Sequence, residues 1–345
     1  MGTVGFIGGK FLPLHLGHVH AITRAACLCD ELYVVLSFSQ ARDRKLCEKA
    51  GIQIMPYEVR LRWLSGLVKD MENVHVLAVE DTAETDETYD WAVGAANIRR
   101  KIGKPIDYAF SSETSYEPIF QQLYPEARHI ILDAERKQVP ISATRIREEG
   151  IFAHWEHIPT IVRPTFVKKV VVVGTESCGK STLTRYLAKL YNTVFVEEYG
   201  RTVCEEVGGC ETILTEDYYP HIAYGHKMKE YEAIKQANKV VFVDTEAVVT
   251  QFYSELYTGR TFYVLDQVAK EQQYDLWLYM EPDVPWVDDG LRVHGEHQVR
   301  HENNEKLKRM LNDRHIAYVS IAGSYHERLR QAMDHVDALL HKPSQ

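Results

Sequence analysis

The sequence predicts an α/β protein built from two doubly wound parallel-sheet domains in tandem. Three observations carry that expectation. Short apolar runs alternate with amphipathic stretches from the start of the chain, the pattern of strands feeding helices that cover both faces of a sheet. The alternation breaks over Trp155-Glu156-His157-Ile158-Pro159-Thr160-Ile161-Val162-Arg163-Pro164, where two prolines and the loss of period mark a connector. It then resumes with Val170-Val171-Val172-Val173 running directly into Gly174-Thr175-Glu176-Ser177-Cys178-Gly179-Lys180-Ser181. A length of 345 residues favours two domains, expected over 1–163 and 164–345.

In the first half, Thr3–Gly8 reads as a strand and His18–Leu28 as a helix. Glu31–Phe38 is a second, buried-looking strand, Tyr57–Val68 a helix and Val74–Val79 a third strand. Asp90–Lys101 is helical, and Tyr108–Ser111 and Arg128–Leu132 complete the sheet. In the second half, strands are expected at Val170–Val173, Thr193–Val196, Lys239–Asp244, Asp275–Met280 and Ala317–Ile321. A long helix fills Pro220–Asn238 and a closing helix Tyr325–Leu340. Ligands of such sheets sit beyond the carboxyl ends of the strands.

Composition narrows the function classes. Apolar residues at 45% and charged residues at 26% describe an ordinary globular chain. A net charge of −9 argues against general nucleic-acid binding. No run approaches the roughly 18 apolar residues of a membrane span. No signal-peptide pattern precedes the first strand. Cys27, Cys29, Cys47, Cys178, Cys204 and Cys210 form no C-x-x-C pair, which argues against zinc and against a disulfide framework. Together these point to the cytoplasm. The sequence leaves a homo-oligomer open.

The turn after Val173 has the form G-x-x-x-x-G-K-[ST] in its strand-to-helix setting. Its backbone N–H groups and the helix N-terminus suit a triphosphate. Lys180 reaches the outer phosphates, Gly179 lets the backbone fold around them, and Ser181 is a ligand for Mg²⁺. Asp244, ending the apolar strand Val240-Val241-Phe242-Val243, is the second Mg²⁺ ligand that such a turn requires. ATP with Mg²⁺ is therefore the expected cofactor. Glu198 and Arg201, after the second strand of this half, face the acceptor. Trp286-Val287-Asp288-Asp289-Gly290-Leu291-Arg292 reads as a lid, with Gly290 for flexibility, Trp286 to stack on a ring and Arg292 to close on transferred phosphate.

The first half carries Gly9-Lys10-Phe11-Leu12-Pro13-Leu14-His15-Leu16-Gly17-His18 just after its first strand. Two imidazoles around one glycine can face an anion resting on the new helix. His15, His18 and His20 cluster, but no Cys or acid accompanies them at ligand spacing, which sets a metal aside. Ile141-Ser142-Ala143-Thr144-Arg145-Ile146-Arg147 places a capping Ser142 and Arg147 at a second helix start. These residues resemble the nucleotidyltransferase superfamily with H-x-G-H and I-S-S-T-x-x-R motifs, except that Ala143 replaces one serine. The resemblance implies nucleotidyl transfer without a protein nucleophile, with Lys10, His15, His18 and Arg147 on the triphosphate.

With the phosphate turn, Glu197-Glu198-Tyr199-Gly200-Arg201 and the lid motif in this order, nearly the whole chain resembles the bifunctional NadR family. That implies an H-x-G-H adenylyltransferase domain followed by a P-loop kinase domain. The kinase would phosphorylate nicotinamide riboside with ATP. The first domain would join the resulting nicotinamide mononucleotide to AMP, releasing pyrophosphate and NAD as product. Gly9, Phe11, Arg42, Trp91, Ser112, Glu113, Ser142 and Thr144 would line the dinucleotide site beside the groups already placed, and Thr182 and Asp289 would join the kinase site. Trp91 stands alone where the family commonly has paired tryptophans, so that either stacking on nicotinamide is weaker or Tyr89 supplies it. Some members carry an N-terminal helix-turn-helix repressor domain; because this chain opens at its first strand, that domain and operator binding are not expected here. The alternative is that only the kinase is active and the first domain senses NAD or ATP.

Overall fold

The computed structural model describes residues 2–208, 215–285 and 297–341. The chain divides into two compact units, 1–163 and 164–342, described separately below.

The first unit runs β1 (Val4–Gly9), α1 (Leu16–Ala26), β2 (Glu31–Phe38), α2 (Gln40–Lys49), α3 (Tyr57–Leu67), β3 (Val74–Glu80), α4 (Trp91–Ile102), β4 (Tyr108–Ser111), α5 (Glu117–Leu123), β5 (Arg128–Ile131) and α6 (Ala143–Glu149). Its strands form one parallel sheet in the order β3-β2-β1-β4-β5. After β1 the chain builds outward through β2 and β3, then crosses back to β4. The crevice at that reversal, between β1 and β4, is where a doubly wound sheet takes its ligand. Local chemistry fixes the helix ends. Asp90 accepts hydrogen bonds from the N–H groups of Ala92 and Val93 at 3.0 Å, and Gly103 closes α4 in the left-handed conformation. Arg99, Arg100 and Lys101 in its last turn complement the helix dipole.

Two sequence expectations change here. Helix α1 begins at Leu16 rather than at His18, because the His15 side chain itself caps it. The connector is not an open linker: it forms 3-10 turns over Ile151–His157 and Arg163–Thr165, with Trp155, Ile158 and Val162 buried against the first unit.

The second unit continues with β6 (Lys168–Val173), α7 (Lys180–Leu190), β7 (Phe195–Val196), α8 (Tyr199–Val207), α9 (Tyr218–Gln236), β8 (Val240–Asp244), α10 (Ala247–Thr258), α11 (Tyr263–Glu271), β9 (Leu276–Met280), α12 (His297–Asp313), β10 (Val319–Ile321) and α13 (Tyr325–His341). Its parallel order is β10-β9-β6-β8-β7. Val170 to Val173 in the central strand are wholly buried, as a strand covered on both faces requires. Among the described residues no helix is long and apolar enough to cross a membrane. Cys27, Cys29, Cys47 and Cys178 are free. Cys204 is disulfide-bonded, against a sequence that argued for no disulfide framework.

Candidate active sites

In the first unit the loop leaving β1 returns to start α1, and two histidines cap that helix reciprocally. His15 Nδ1 accepts from the Gly17 N–H at 3.1 Å, and His18 Nδ1 accepts from the His15 N–H at 3.4 Å. The rings stack with centroids 3.7 Å apart. Gly17 permits this: a Cβ there would lie 2.9 Å from the His15 ring. A neutral imidazole that accepts at Nδ1 carries its proton on Nε2. Each ring is therefore left with an N–H to offer an anion. Burial first, then His18 and Arg136, lower the His15 pKa far below its ordinary value. Burial and Arg136 lower that of His18 to about 3. Both rings donate while uncharged.

Arg147 ties this turn to the second motif. It is buried on α6, donates Nη1 to the carbonyl of Leu12 at 2.7 Å and Nη2 to Thr144 Oγ1 at 3.0 Å. Ser142 caps α6 through Oγ, 3.1 Å from the Arg145 N–H. Residues 135 positions apart in sequence thus meet at one anion-facing turn.

Beside them a cavity of about 280 Å³ opens in the β1–β4 crevice. Gly9, Lys10, Arg42 and Trp91 line it, together with Tyr89 and Tyr116. The Trp91 ring sits edge-on to Tyr89 and to Tyr116, with centroids 5.1 and 5.0 Å away. An aromatic box of this kind suits a flat cationic ring. Phe11 is buried with its ring 4.9 Å from His18, not on the cavity wall. Lys10 is held by Asp86 at 2.6 Å, so it reaches a phosphate only by leaving that partner. Arg42 is buried, paired with Asp43 and Asp81, with Nη2 unpartnered. Ser112 and Glu113 lie half-buried past β4, outside the cavity lining, and Glu113 pairs with Arg136 at 2.7 Å. Arg60 and Asp86 were not singled out in the sequence. Arg60 bridges Asp43 and the Lys10 carbonyl, so it fixes both the Arg42 network and the turn.

In the second unit the phosphate turn follows β6. Gly174 has φ of +147°, and a Cβ there would lie 2.8 Å from the carbonyl oxygen of Met280, so only glycine fits. Lys180 is buried, with Nζ 2.9 Å from the carbonyl of Thr175. Burial works against its charge, but Cys178, Glu198, Asp244 and Glu176 outweigh it and raise the pKa. Arg328 on α13 holds the turn from behind, donating Nη1 to the carbonyl of Cys178 at 2.8 Å.

Asp244 ends β8, buried, with Oδ1 unpartnered. Burial first, then Glu198, push its pKa up to about 7, while Lys180 and a hydrogen bond from Ser181 pull the other way. A buried acid oxygen without a donor, beside a serine hydroxyl and a second acid, is a donor set that fits a hard divalent cation such as Mg²⁺.

A cavity of about 170 Å³ joins the turn to the acceptor side. Gly179, Ser181 and Thr182 of the turn line it together with Glu198, Arg201 and His226. Arg201 also bonds Glu205 at 3.1 Å. Trp286, Asp289 and Arg292 lie outside the described residues. Arg300 on α12 belongs to no recognisable sequence motif. Its Nη1 reaches the Val284 carbonyl at 3.1 Å, while Nε and Nη2 are buried and unpartnered. It shares a small cavity with Thr175 and Glu176 of the turn. Among the described residues, the one group of three His, Cys, Asp or Glu side chains close enough to share a metal ion is His154, Glu156 and His157.

Residues 6–149 match the cytidylyltransferase-like family, and residues 169–328 match the AAA domain family. The trifunctional NAD biosynthesis/regulator protein NadR of Escherichia coli (strain K12) is 36% identical over 324 residues, covering 92% of this chain and 78% of that one. Its counterpart in Salmonella typhimurium (strain LT2) is 35% identical over 323 residues, with the same coverage. Two solved structures superpose on 99% of this chain and 97% of their own. They are a NadR protein in complex with NR (TM-score 0.79, 28% identity) and a NadR protein in complex with NAD and AMP-PNP (TM-score 0.78, 27% identity).

Proposed function

This chain belongs to the NadR family, and on that premise we propose that it is a bifunctional transferase of NAD biosynthesis. Residues 164–345 are its kinase. They transfer the terminal phosphoryl group of ATP to the 5′-hydroxyl of nicotinamide riboside, giving ADP and nicotinamide mononucleotide. Residues 1–163 are its adenylyltransferase. There a phosphate oxygen of the mononucleotide attacks the α-phosphorus of a second ATP, forming NAD and releasing pyrophosphate. The observation that carries the reading is the full-length match to a NadR protein solved with NAD and AMP-PNP.

The first site needs no nucleophile of its own. His15 and His18 offer neutral N–H donors to oxygens whose charge grows in the transition state, and Arg147 keeps the turn in position. Donors of this kind contribute on the order of 10²–10³ in rate each. Tyr89, Trp91 and Tyr116 take the nicotinamide ring. In the second site Lys180 holds the outer phosphates, Glu198 and Arg201 face the riboside, and Arg300 adds positive charge behind the turn. Ser181 and Asp244 would hold Mg²⁺. Bound there, the ion would neutralise charge on the phosphates.

The test is incubation of the whole chain with Mg·ATP and nicotinamide riboside while ADP, pyrophosphate and NAD are followed together. The expected result is one ADP and one pyrophosphate for each NAD. ADP formed without pyrophosphate would leave the first unit as a nucleotide sensor. No ADP at all would remove the kinase.

A further inference from the structure

Lys10 follows β1 directly, and its main chain is held in place. The buried Arg60 donates Nη1 to its carbonyl oxygen at 2.7 Å. Its side chain is freer. Nζ lies 2.6 and 2.7 Å from the two carboxylate oxygens of Asp86, and the two side chains are 31% and 50% exposed. Both residues line the 280 Å³ cavity of the first unit. The ammonium therefore sits on a flexible stem that can turn about a fixed backbone.

Arg42 is the second cation near the same carboxylate. Its Nε is 3.7 Å from Asp86 Oδ1. Unlike Lys10 it is buried and held by Asp43 and Asp81, each at 3.1 Å. One cation beside Asp86 is thus mobile and the other is fixed. An acid in a cavity that takes a triphosphate repels it by direct charge interaction. Paired with Lys10, the acid is offset while the cavity is empty. A triphosphate gains the ammonium only by taking it from Asp86. Asp86 then still has Arg42 as a neighbour, so its charge is not left without a cation nearby.

We propose that Asp86 is a displaceable counter-ion for Lys10, so that nucleotide entry at the first site exchanges one anion for another on the same ammonium. The proposal rests on the adenylyltransferase reading above. The pair then sets how tightly the site holds ATP and the pyrophosphate it releases. The exchange is made on binding, ahead of the chemical step, so it weighs on KM for ATP more than on kcat. Exposed ion pairs are weak, which limits the effect to about two- to fivefold.

The experiment is a double-mutant cycle on the whole chain. It follows pyrophosphate release from ATP and nicotinamide mononucleotide in wild type, Asp86→Asn, Lys10→Met and the double variant. Asp86→Asn should lower KM for ATP, and the inhibition constant of added pyrophosphate, about two- to fivefold, with a smaller change in kcat. Asp86→Ala should act in the same direction. Lys10→Met should lower kcat/KM for ATP by on the order of 10². In the Lys10→Met background, Asp86→Asn should no longer lower KM, because there is no ammonium left to compete for. An equal drop in both backgrounds means that Asp86 acts by general repulsion, and it overturns the proposal. So does a KM for ATP that stays the same or rises in both Asp86→Asn and Asp86→Ala. Lys10→Met with wild-type kcat/KM takes Lys10 off the triphosphate and overturns it too, while adenylyl transfer stands. Absence of pyrophosphate from wild type removes the adenylyltransferase reading, and this proposal with it.

Discussion

The first unit meets phosphate with two uncharged rings, whereas the second meets it with a lysine surrounded by acids. Both turns leave a central parallel strand and open a helix, so the backbone offers the same half-positive N-terminus in each. The side chains differ. His15 and His18 spend one nitrogen each on the helix cap, and burial keeps them neutral. Lys180 is buried too, but Glu198, Asp244 and Glu176 hold it charged. Burial alone therefore does not set the protonation state; the neighbours decide it. The first arrangement contributes directed donors, and the second contributes a fixed cation that moves with its metal-organising acids.

The largest effects come from removing the group on which each turn depends. Lys180→Ala should lower riboside phosphorylation by on the order of 10³ or more and leave pyrophosphate release from nicotinamide mononucleotide within about twofold. His18→Ala should do the reverse, lowering pyrophosphate release by on the order of 10² with ADP formation unchanged. Separate assays of ADP and pyrophosphate check both. Loss of both activities in either folded variant would break the comparison, because it requires two independent sites.

A smaller effect sharpens the contrast between neutral and charged. Free histidine binds a proton near pH 6.5, while buried His18 does so only near pH 3 and His15 lower still. Below pH 6.5 the unfolded chain then holds more protons than the native one, so stability falls with falling pH. Between pH 7 and pH 5 each ring subtracts about 2 kcal/mol. Glu246 runs the other way: burial raises its pKa to about 7, so its contribution is complete below the unfolded value of 4.5 and fades as pH rises through 7. The readout is therefore a difference between proteins. In urea titrations at pH 7 and pH 5, a His15→Asn, His18→Asn double variant should lose about 4 kcal/mol less than wild type. Equal losses would mean that the rings are protonated in the native state.

Legibility in the sequence followed the range of the interactions. The strands and both phosphate turns are written locally, in apolar runs and in residues a few positions apart. The Ser142 cap is local as well, and the motif itself shows it. What escaped is non-local. Arg147 reaches the Leu12 carbonyl across 135 positions, and Arg60 reaches the Lys10 carbonyl across 50. His226 looks like one more polar residue of a long helix until β8 is laid against it. The motif points to Lys10 as a phosphate ligand, and nothing in it announces Asp86, 76 residues on. Helix α1 was begun two residues late because histidine is an uncommon cap.

The smallest expected effect concerns the one hydrogen bond by which the second motif supports the first. Ser142 Oγ caps α6, and Arg147 on the same helix holds the His15–His18 turn through Leu12. Ser142→Ala removes the cap and should cost about 1 kcal/mol. Because α6 is only 7 residues long, the loss is expected to fray the helix rather than unfold the unit. Arg147 then loses part of its fixed direction, and pyrophosphate release should fall severalfold while ADP formation stays at the wild-type rate. Ser142→Asp restores a capping oxygen but puts a negative charge beside the triphosphate. It should recover the melting temperature without recovering pyrophosphate release. If Ser142→Ala leaves pyrophosphate release at the wild-type rate, α6 does not position the histidine turn, and the link between the two motifs is one of packing alone.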